Sequence, residues 1–519
     1  MTVAFSRDVS RSLPSPVLAR AKFHVMPLLR IAVLLLTFVV TSVSLVGLPT
    51  APQAAHSYRS AHQAELIQQF QALLSLPNVA ADPAALRRNA DFLAAQLQQR
   101  GAKAKLLTAP ELSADIPPVV FGEFLTPGAK RTIVFYAHYD GQPVTPSEWE
   151  SGAPFMPVLK QVDGEPRIYA RGAGDDKAAI FAQLIALSAL QAAKIPLKAN
   201  IRFVWEGEEE AGSPHLEQIL MANRALIQGD VWLVCDGPVA QNRQQILTFG
   251  ARGDAHLQIT VYGPSRPLHS GHYGNWAPNP AMMLVQLLAG MKDAEGRVLI
   301  PHFYDGIVPL GPLEKQALAS APPLDETLRQ ELALGHTDGG GKHLLDLINE
   351  PSLNINGISS GQTGSRSTNS IPSTAIANLD LRLVVGINWQ MQQQRVIDYV
   401  RSQGYFVTSA HPTRDQLLNH SKVAYIKADE GENALRTPMD LPIAADVIQA
   451  IESARGKVIL MPTSGGTVPL EAMERAAKTR TISVPIANHD DNQHAANENL
   501  RLQNLWDGIE TMAALIAMP

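Results

Sequence analysis

The sequence predicts an α/β fold: a mostly parallel sheet with helices on both faces, plus an inserted smaller α+β domain. Apolar segments without polar alternation, such as Thr132–Tyr136 and Val231–Cys235, are typical of strands that are buried on both faces. Helical patterns alternate with these segments, as they do in parallel sheets. The chain has 519 residues, which is too long for one ordinary core. At least two domains are therefore expected.

The first part of the chain predicts alternating helices and strands. Apolar periodicity indicates two helices, of which the second ends at Gly101. An apolar helix follows the Asp175-Asp176 turn. The predicted elements are helices at Ala61–Leu76, Asp82–Arg100 and Lys177–Ala193, and strands at Thr132–Tyr136, Asn200–Trp205 and Val231–Cys235.

After Asp236 the pattern changes to the alternating strands of a half-exposed sheet, and from about Pro438 the α/β pattern resumes. The stretch 292–350 is rich in Pro, Gly and Leu and is predicted to be irregular. The predicted strands are Ala255–Tyr262, Ser352–Asn356, Ala375–Val385, Val458–Met461 and Thr481–Pro485, and the helices are Pro280–Met291, Trp389–Gln403 and Leu441–Ser453.

These changes predict four segments. Residues 1–56 form a leader, 57–246 the first part of the catalytic domain, 247–415 the inserted domain, and 416–519 the second part of the catalytic domain. The leader is basic, and its uncharged run Ile31–Leu48 is typical of a signal peptide or membrane anchor rather than of a buried core helix. We therefore expect an exported protein, periplasmic or extracellular, whose membrane contact is limited to this segment.

The composition of the chain argues against several classes of protein. The net charge is −5, and 18% of the residues are charged, so the chain lacks the basic character of a nucleic-acid binder. The single cysteine, Cys235, rules out an intramolecular disulfide and is expected to be a buried strand residue rather than a reactive thiol.

Metal-ligand residue types recur at the ends of the predicted strands. The candidates are His138, Asp175, the run Glu206–Glu210, Asp236 and His494. Imidazole and carboxylate donors together suit Zn²⁺ or Mn²⁺, and the set is sufficient for two ions. Taken alone, each candidate also fits a plainer structure, such as a solvated acidic turn, a helix N-terminus or a polar surface loop.

Neighbouring residues extend the His138 motif and the aspartate pair. Asp140 lies two residues after His138 and can accept the second ring N–H, which would fix the tautomer. Asp176 is expected to be a supporting residue beside Asp175. A carboxylate that bridges two ions can use both oxygens, one for each ion, across a gap of about 3.5–4 Å.

The order of these motifs resembles the M20 family of metallopeptidases, in particular its carnosinase-like dipeptidases, from about Ser57 to the C-terminus. The resemblance implies that Asp175 bridges two ions and is followed by a cis peptide. It implies that Glu209 is the general base and that Glu210 is a ligand. It also selects His494 over the nearby His489. One ion would take His138, Asp236 and Asp175, and the other Glu210, His494 and Asp175.

The resemblance also assigns residues of the inserted domain, which would be a lid and dimerisation domain. His269, rather than its neighbour His272, would reach the partner subunit's active site in a homodimer and stabilise the oxyanion. The residues Asn369, Arg382, Gly466 and Thr467 would bind the substrate. A guanidinium at Arg382 can clamp a carboxylate with two hydrogen bonds.

The expected activity is two-metal hydrolysis of a dipeptide-type bond next to a free carboxylate, with Zn²⁺ first and Mn²⁺ as the alternative. The ions would acidify a water, Glu209 would accept its proton, and the attack would fall on the scissile carbonyl. One alternative is an amidohydrolase of the same family that acts on N-acyl amino acids. The other is a non-catalytic binding member.

Overall fold

The structure is a computed structural model, and it describes residues 48–150 and 152–519. Residues 1–47 of the predicted leader, and with them nearly all of the hydrophobic run Ile31–Leu48, lie outside these ranges, whereas residues 51–56 belong to the first helix. Within them, no helix combines the length and the apolar character that a membrane crossing requires.

Some helices of the described ranges begin at a side-chain cap that precedes the apolar residues by which the sequence reveals them. The first helix begins at Ala51 rather than at the predicted Ala61, because Thr50 and Gln53 form a reciprocal capping box. The helices of the described ranges are α1 (Ala51–Leu74), α2 (Pro83–Gln99), α3 (Lys177–Ala192), α4 (Leu216–Ala222), α5 (Arg224–Ile227), α6 (Ser270–Tyr273), α7 (Pro280–Ala289), α8 (Pro312–Ser320), α9 (Asp325–Glu331), α10 (Leu344–Ile348), α11 (Trp389–Ser402), α12 (Arg414–Asn419), α13 (Pro442–Arg455), α14 (Leu470–Ala477) and α15 (Leu502–Ile516).

The strands include all those predicted and several shorter ones. The strands of the described ranges are β1 (Lys103–Leu107), β2 (Val119–Phe124), β3 (Thr132–His138), β4 (Val158–Val162), β5 (Glu165–Tyr169), β6 (Asn200–Glu206), β7 (Val231–Val234), β8 (Ile246–Thr248), β9 (Gly250–Ala251), β10 (Gly253–Tyr262), β11 (Leu268–His269), β12 (Ser352–Ser359), β13 (Ser370–Ile371), β14 (Thr374–Leu383), β15 (Phe406–Thr408), β16 (Val423–Ala428), β17 (Leu435–Arg436), β18 (Ile459–Met461), β19 (Thr481–Ser483) and β20 (Asn499–Arg501).

The larger sheet has eight strands in the order β1-β2-β6-β3-β7-β19-β8-β18. Its centre, β6-β3-β7-β19, is parallel, as is the pair β8-β18. The pairs β1-β2, β2-β6 and β19-β8 are antiparallel. The predicted class, a mostly parallel sheet with helices on both faces, is thus confirmed.

Alternate residues of the central strands fill two cores, which explains their unbroken apolar runs. On one face, Phe135, Phe203 and Leu233 pack in a core with residues of α1, α2, α3, α13 and α15. On the other face, Tyr136 and Trp232 pack in a core with α4 and α14. Cys235 is completely buried in the first core. The central strands therefore lie between two buried layers.

The smaller sheet has five strands in the order β12-β14-β10-β16-β15, and all pairs are antiparallel except β15-β16. Its buried face packs with residues of α7 and α11 in a core of its own. The predicted inserted α+β domain is confirmed as an architecture. Strand β16 carries the sheet to Ala428, which lies beyond residue 415.

The stretch 292–350 contains α8, α9 and α10 and is not irregular throughout, as the sequence suggested. Proline and glycine residues interrupt its apolar pattern, so each helix is too short to show clear periodicity. Near these helices, Ala321 and Leu345 pack against Ile459 and Met461 on β18, the edge strand of the larger sheet. The insertion therefore covers that sheet edge.

Two chain segments connect the domains, and they run side by side. Strand β9 pairs with β17, and Asp254 and Glu432 exchange backbone hydrogen bonds of 3.0 Å. The approach is so close that a Cβ at Gly253 would lie 2.2 Å from the carbonyl oxygen of Glu432. We call this paired connection, residues 250–254 and 431–436, the hinge ribbon.

Candidate metal centre and active site

The five predicted ligands meet at one edge of the larger sheet. His138 is the last residue of β3, and Asp236 follows closely after β7. Glu210 lies in the turn after β6, Asp175 immediately precedes Asp176 and α3, and His494 lies in the loop between β19 and β20. Parallel strands that end at one edge bring such side chains together from distant parts of the chain.

Their ligand atoms form two groups that share one residue. His138, Asp175 and Asp236 form one group and Asp175, Glu210 and His494 the other, with atoms within 4.8 Å of one another in each group. One oxygen of Asp175 lies 2.9 Å from His138 Nε2, and the other lies 3.1 Å from His494 Nε2. This mixed nitrogen and oxygen donor set fits Zn²⁺ or Mn²⁺. The peptide between Asp175 and Asp176 is cis.

The site concentrates negative charge in a poorly solvated place. Burial raises the pKa of Asp236 to about 7, and the charge of Asp175 adds to the effect. Burial also raises the pKa of Glu209, and the charges of Asp236 and Asp175 contribute. For Asp175, burial opposes ionisation, but hydrogen bonds to His138 and His494 outweigh it and lower the pKa. Divalent cations would neutralise the negative charge of these carboxylates.

Asp140 has a different main contact from the one predicted. Its carboxylate accepts the backbone N–H groups of Glu209 at 3.2 Å and of Glu210 at 3.0 Å. Its distance to His138 Nδ1 is 3.4 Å, which is long for a hydrogen bond. Asp140 therefore fixes the turn that carries the two glutamates. Asp176 accepts the backbone N–H of His138 at 3.3 Å.

A cleft of about 750 Å³ leads away from the ligands. Glu209, Glu210 and His494 line one end of it, and Thr467 and Asp254 line another part. The cleft therefore borders both the larger sheet and the inserted domain. It is large enough for a small peptide.

Two of the predicted substrate residues are joined across the domains. Arg382 Nη1 donates to Thr467 Oγ1 at 2.9 Å, and Arg382 Nε donates to Asp380 at 3.2 Å. Gly466 directly precedes Thr467 and is exposed. The guanidinium is thus held near the cleft by both domains.

His269 and Asn369 form a separate pair on the inserted domain. His269 ends β11, Asn369 immediately precedes β13, and these two strands are paired. The N–H of Ser270 donates to the Asn369 carbonyl at 2.9 Å. Both residues are exposed, and neither is among the described residues that line the cleft. His269 Nδ1 accepts the N–H of Gly271 at 3.1 Å, and its ring packs against that of His272.

Three further residues contact the ligands without having been assigned from the sequence. Gln142 Nε2 donates to Glu210 at 2.7 Å, and Gln493 Nε2 donates to Asp175 at 2.9 Å. Glu498 accepts the backbone N–H of Asp175 at 3.1 Å. Gln142 and Gln493 lie within a few residues of a predicted ligand along the sequence, and this proximity was their only signal. Glu498 is the glutamate of the His-x-x-Asn-Glu pattern by which the resemblance selects His494, but no role was assigned to it.

Comparison with known proteins agrees with this geometry. A family model described as peptidase family M20/M25/M40 matches residues 134–518. The Beta-Ala-His dipeptidase of Homo sapiens is 28% identical over 484 residues, which cover 90% of this chain and 92% of that protein. The Cys-Gly metallodipeptidase of Schizosaccharomyces pombe is 26% identical, over 87% of this chain and 95% of that protein.

Solved structures of peptidases are also similar to this chain. An M20 family metallo-carboxypeptidase from Sulfolobus solfataricus has a TM-score of 0.73 and 25% identity, covering 88% of this chain and 99% of that one. Human carnosine dipeptidase 1 has a TM-score of 0.70 and 25% identity, covering 90% and 99%. The family model spans well over half of the chain, and the metal-ligand groups fall inside the matched range. The chain belongs to peptidase family M20/M25/M40 and is a metallopeptidase of that family.

Proposed function

We propose that this chain hydrolyses dipeptides at the bond next to a free C-terminal carboxylate, with two divalent ions, Zn²⁺ first and Mn²⁺ as the alternative. The observation that carries the proposal is the shared Asp175, whose two oxygens face different histidines. His138 and Asp236 would complete one ion's protein ligands, and Glu210 and His494 the other's. The names of the Beta-Ala-His and Cys-Gly dipeptidases support a dipeptide substrate.

The ions, when bound, supply Lewis acidity that acidifies the attacking water and polarises the scissile carbonyl. Glu209 lies beside the ligand Glu210 and belongs to neither ligand group. It accepts the proton of the attacking water and returns it to the leaving amine.

Arg382 is the proposed anchor for the substrate carboxylate. Its guanidinium lies beside the cleft-lining Thr467, whose hydroxyl can join the same anion. A bidentate Arg–carboxylate contact would fix the C-terminal end of the substrate. Gly466 and Asn369 complete the proposed binding residues, with Asn369 acting beside His269.

The proposed assembly is a homodimer in which His269 serves the partner subunit's site. Exposed apolar side chains lie on the inserted domain, on α7 at Met282 and Val285 and on β12 at Ile355 and Ile358. Strand β12 is also an edge of the smaller sheet. A dimer interface formed by the two inserted domains would cover these apolar side chains and the open edge of the smaller sheet.

Export of the chain is a further part of the proposal, and it rests on the basic leader and Ile31–Leu48. A fusion of residues 1–56 to a reporter that is active only outside the cytoplasm should be active. Inactivity of the fusion would contradict export.

A substrate panel with defined metals tests the activity. Metal-free protein should regain dipeptide hydrolysis with Zn²⁺ or Mn²⁺, and Beta-Ala-His and Cys-Gly belong in the panel. N-acetyl amino acids share the free carboxylate but lack the free amine. Turnover of these compounds without turnover of any dipeptide would replace the proposal with an N-acyl-amino-acid amidohydrolase.

A further inference from the structure

We propose that Glu498 is the positioning residue that fixes the orientation of Asp175, and that through it both metal ions depend on Glu498. The inference rests on the proposed bridging role of Asp175. Glu498 is completely buried, yet it is not a member of either ligand group. The groups that its carboxylate contacts therefore indicate its role.

Both oxygens of Glu498 are filled by the loop that carries Asp175. Oε1 accepts the N–H groups of Gly174 at 2.9 Å and Asp175 at 3.1 Å. Oε2 accepts the N–H of Gly172 at 2.9 Å and Arg171 Nη1 at 2.8 Å. Three backbone donors from one short loop thus converge on a single carboxylate.

This convergence requires an anion with two acceptor oxygens. Buried N–H groups that lose their acceptor are costly, and hydrogen bonds to charged acceptors are the stronger kind. A glutamine at 498 would keep one acceptor oxygen and turn an NH₂ group toward the donors on the other side. The loop would have to rotate to relieve that clash, and the Asp175 carboxylate would rotate with it.

The backbone around Glu498 links the two loops that hold the metal ligands. Strand β20 pairs with β5, and the N–H of Ala170 donates to the Glu498 carbonyl at 3.1 Å. Asn499 follows Glu498 and begins β20, and its N–H donates to the Asp491 carbonyl at 2.7 Å. Asp491 lies at the start of the loop that carries His494. Glu498 therefore sits where the Asp175 loop and the His494 loop are joined.

Because Asp175 belongs to both ligand groups, its misorientation should weaken both ions together. Residues that orient a metal ligand typically change metal affinity by about 10- to 100-fold when they are replaced. We expect Glu498→Gln to raise the dissociation constants of both ions within that range.

The experiment titrates metal-free protein with Zn²⁺ in competition with a chromophoric chelator. The matched control is Glu123→Gln, which removes a partly buried ion pair with Arg202 (2.8 Å) between β2 and β6, outside both ligand groups. The control should keep wild-type affinity for both ions. The visible spectrum of the Co²⁺-substituted protein should change in Glu498→Gln and remain unchanged in the control.

Wild-type affinity for both ions in folded Glu498→Gln would overturn the inference, and so would the loss of one ion alone. If this variant fails to fold, Glu498→Asp keeps the charge while withdrawing the carboxylate by one methylene, and the same joint loss is expected. Asp175→Ala separates this inference from the proposed function. Loss of both ions there, with none lost in the Glu498 variants, refutes this inference alone. Retention of both in Asp175→Ala refutes the bridge itself.

Discussion

Glu209 and Glu210 are neighbours in sequence but have different partners. The Glu210 carboxylate contacts His494 at 3.2 Å and Gln142 at 2.7 Å, which suits a ligand. Glu209 lines the cleft without joining a ligand group, which suits a group that must be free to exchange a proton. One tight turn, held by Asp140, thus presents both carboxylates, for which we propose two different tasks.

Replacement of Glu209 by Gln should preserve metal binding while kcat falls by about 10²- to 10⁴-fold, because the amide cannot accept the proton. Steady-state kinetics and metal content together provide the measurement. Glu208→Gln is the control in the same acidic run, since Glu208 pairs with His215 at 2.8 Å outside the ligand groups. Wild-type turnover in Glu209→Gln would refute the assignment.

Replacement of Asp175 by Ala should release both ions, whereas Asp236→Ala should release only one. Asp175 belongs to both ligand groups and Asp236 to one. Metal content after dialysis, measured by atomic spectroscopy, distinguishes the two variants. Equal content in both would contradict the bridge.

Site residues were predictable where the chemistry is local. His138, Asp175, Glu210, Asp236 and His494 stand at strand ends or in short motifs, and the structure brings them together. The main contact of Asp140 was not predictable, because it depends on how the turn after β6 packs against the end of β3. The contacts of Gln142 with Glu210 and of Glu498 with Asp175 were not predictable, because they depend on pairings between distant segments that a sequence motif does not record.

At the scale of elements, strand register arranges the charges around Arg382. On the paired strands β10 and β14, Asp254 lies opposite Arg382 and His256 lies opposite Asp380. Odd-numbered residues of β14 are buried in the smaller domain's core, so the even-numbered side chains emerge on the opposite face. Asp380 holds the guanidinium from that face, at 3.2 Å.

Asp380→Asn should therefore raise KM for dipeptides by roughly 10-fold with little change in kcat, since a charged hydrogen bond contributes about 1.5–3 kcal/mol. The variant should also discriminate less between a dipeptide and its C-terminal amide. Asn378→Ala is the control, because Asn378 is exposed on the same strand and face and contacts Gln258. An unchanged KM in Asp380→Asn would exclude this positioning role.

Secondary structure was predictable where burial imposes a pattern. Strands β3 and β7 were evident from unbroken apolar runs, and β10 and β14 from alternation. The sequence reading did not assign α15, although α15 is nearly all buried against α1, α3 and α13. A helix enclosed by other helices loses the polar face that marks a surface helix. Strands β1 and β2 were not assigned either.

At the scale of the whole molecule, the hinge ribbon brings acidic groups together. Burial raises the pKa of Glu432 to about 7, and the charges of Asp254 and Glu471 add to it. The folded protein then keeps this proton between pH 4.5 and about 7, where the unfolded chain has lost it. Stability is thus lost as the pH rises through that window.

Glu432→Gln should remove this dependence and stabilise the protein more at pH 8 than at pH 5. The difference has an upper bound of about 3 kcal/mol, at roughly 1.4 kcal/mol per pKa unit. Urea unfolding at both pH values gives the measurement. Glu430→Gln, at an exposed site nearby, should show no such difference. An equal effect of Glu432→Gln at both pH values would contradict the prediction.

Mixing two inactive variants tests the proposed exchange of His269 between subunits. A dimer of one Glu209→Gln chain and one His269→Ala chain would contain one site with both wild-type residues. With free exchange of equal amounts, activity should return to about a quarter of the wild-type level in a two-fold dimer. No recovery, despite subunit exchange shown by mass spectrometry, would place His269 outside the partner's site.

The position of β19 between β7 and β8 has a consequence for the order of folding. During synthesis, β3 and β7 emerge early, but the partner on the outer edge of β7 follows only after the entire inserted domain. The long loop closure makes this pairing slow, whereas the smaller sheet can form from β10, β12, β14 and β16 in the meantime. Before β19 has been synthesised, the backbone groups on the outer edge of β7 are unpaired and can bind a wrong strand. The catalytic domain therefore completes its sheet only after the inserted domain has been synthesised, and we expect protection of the β7 edge until then to reduce wrong pairing.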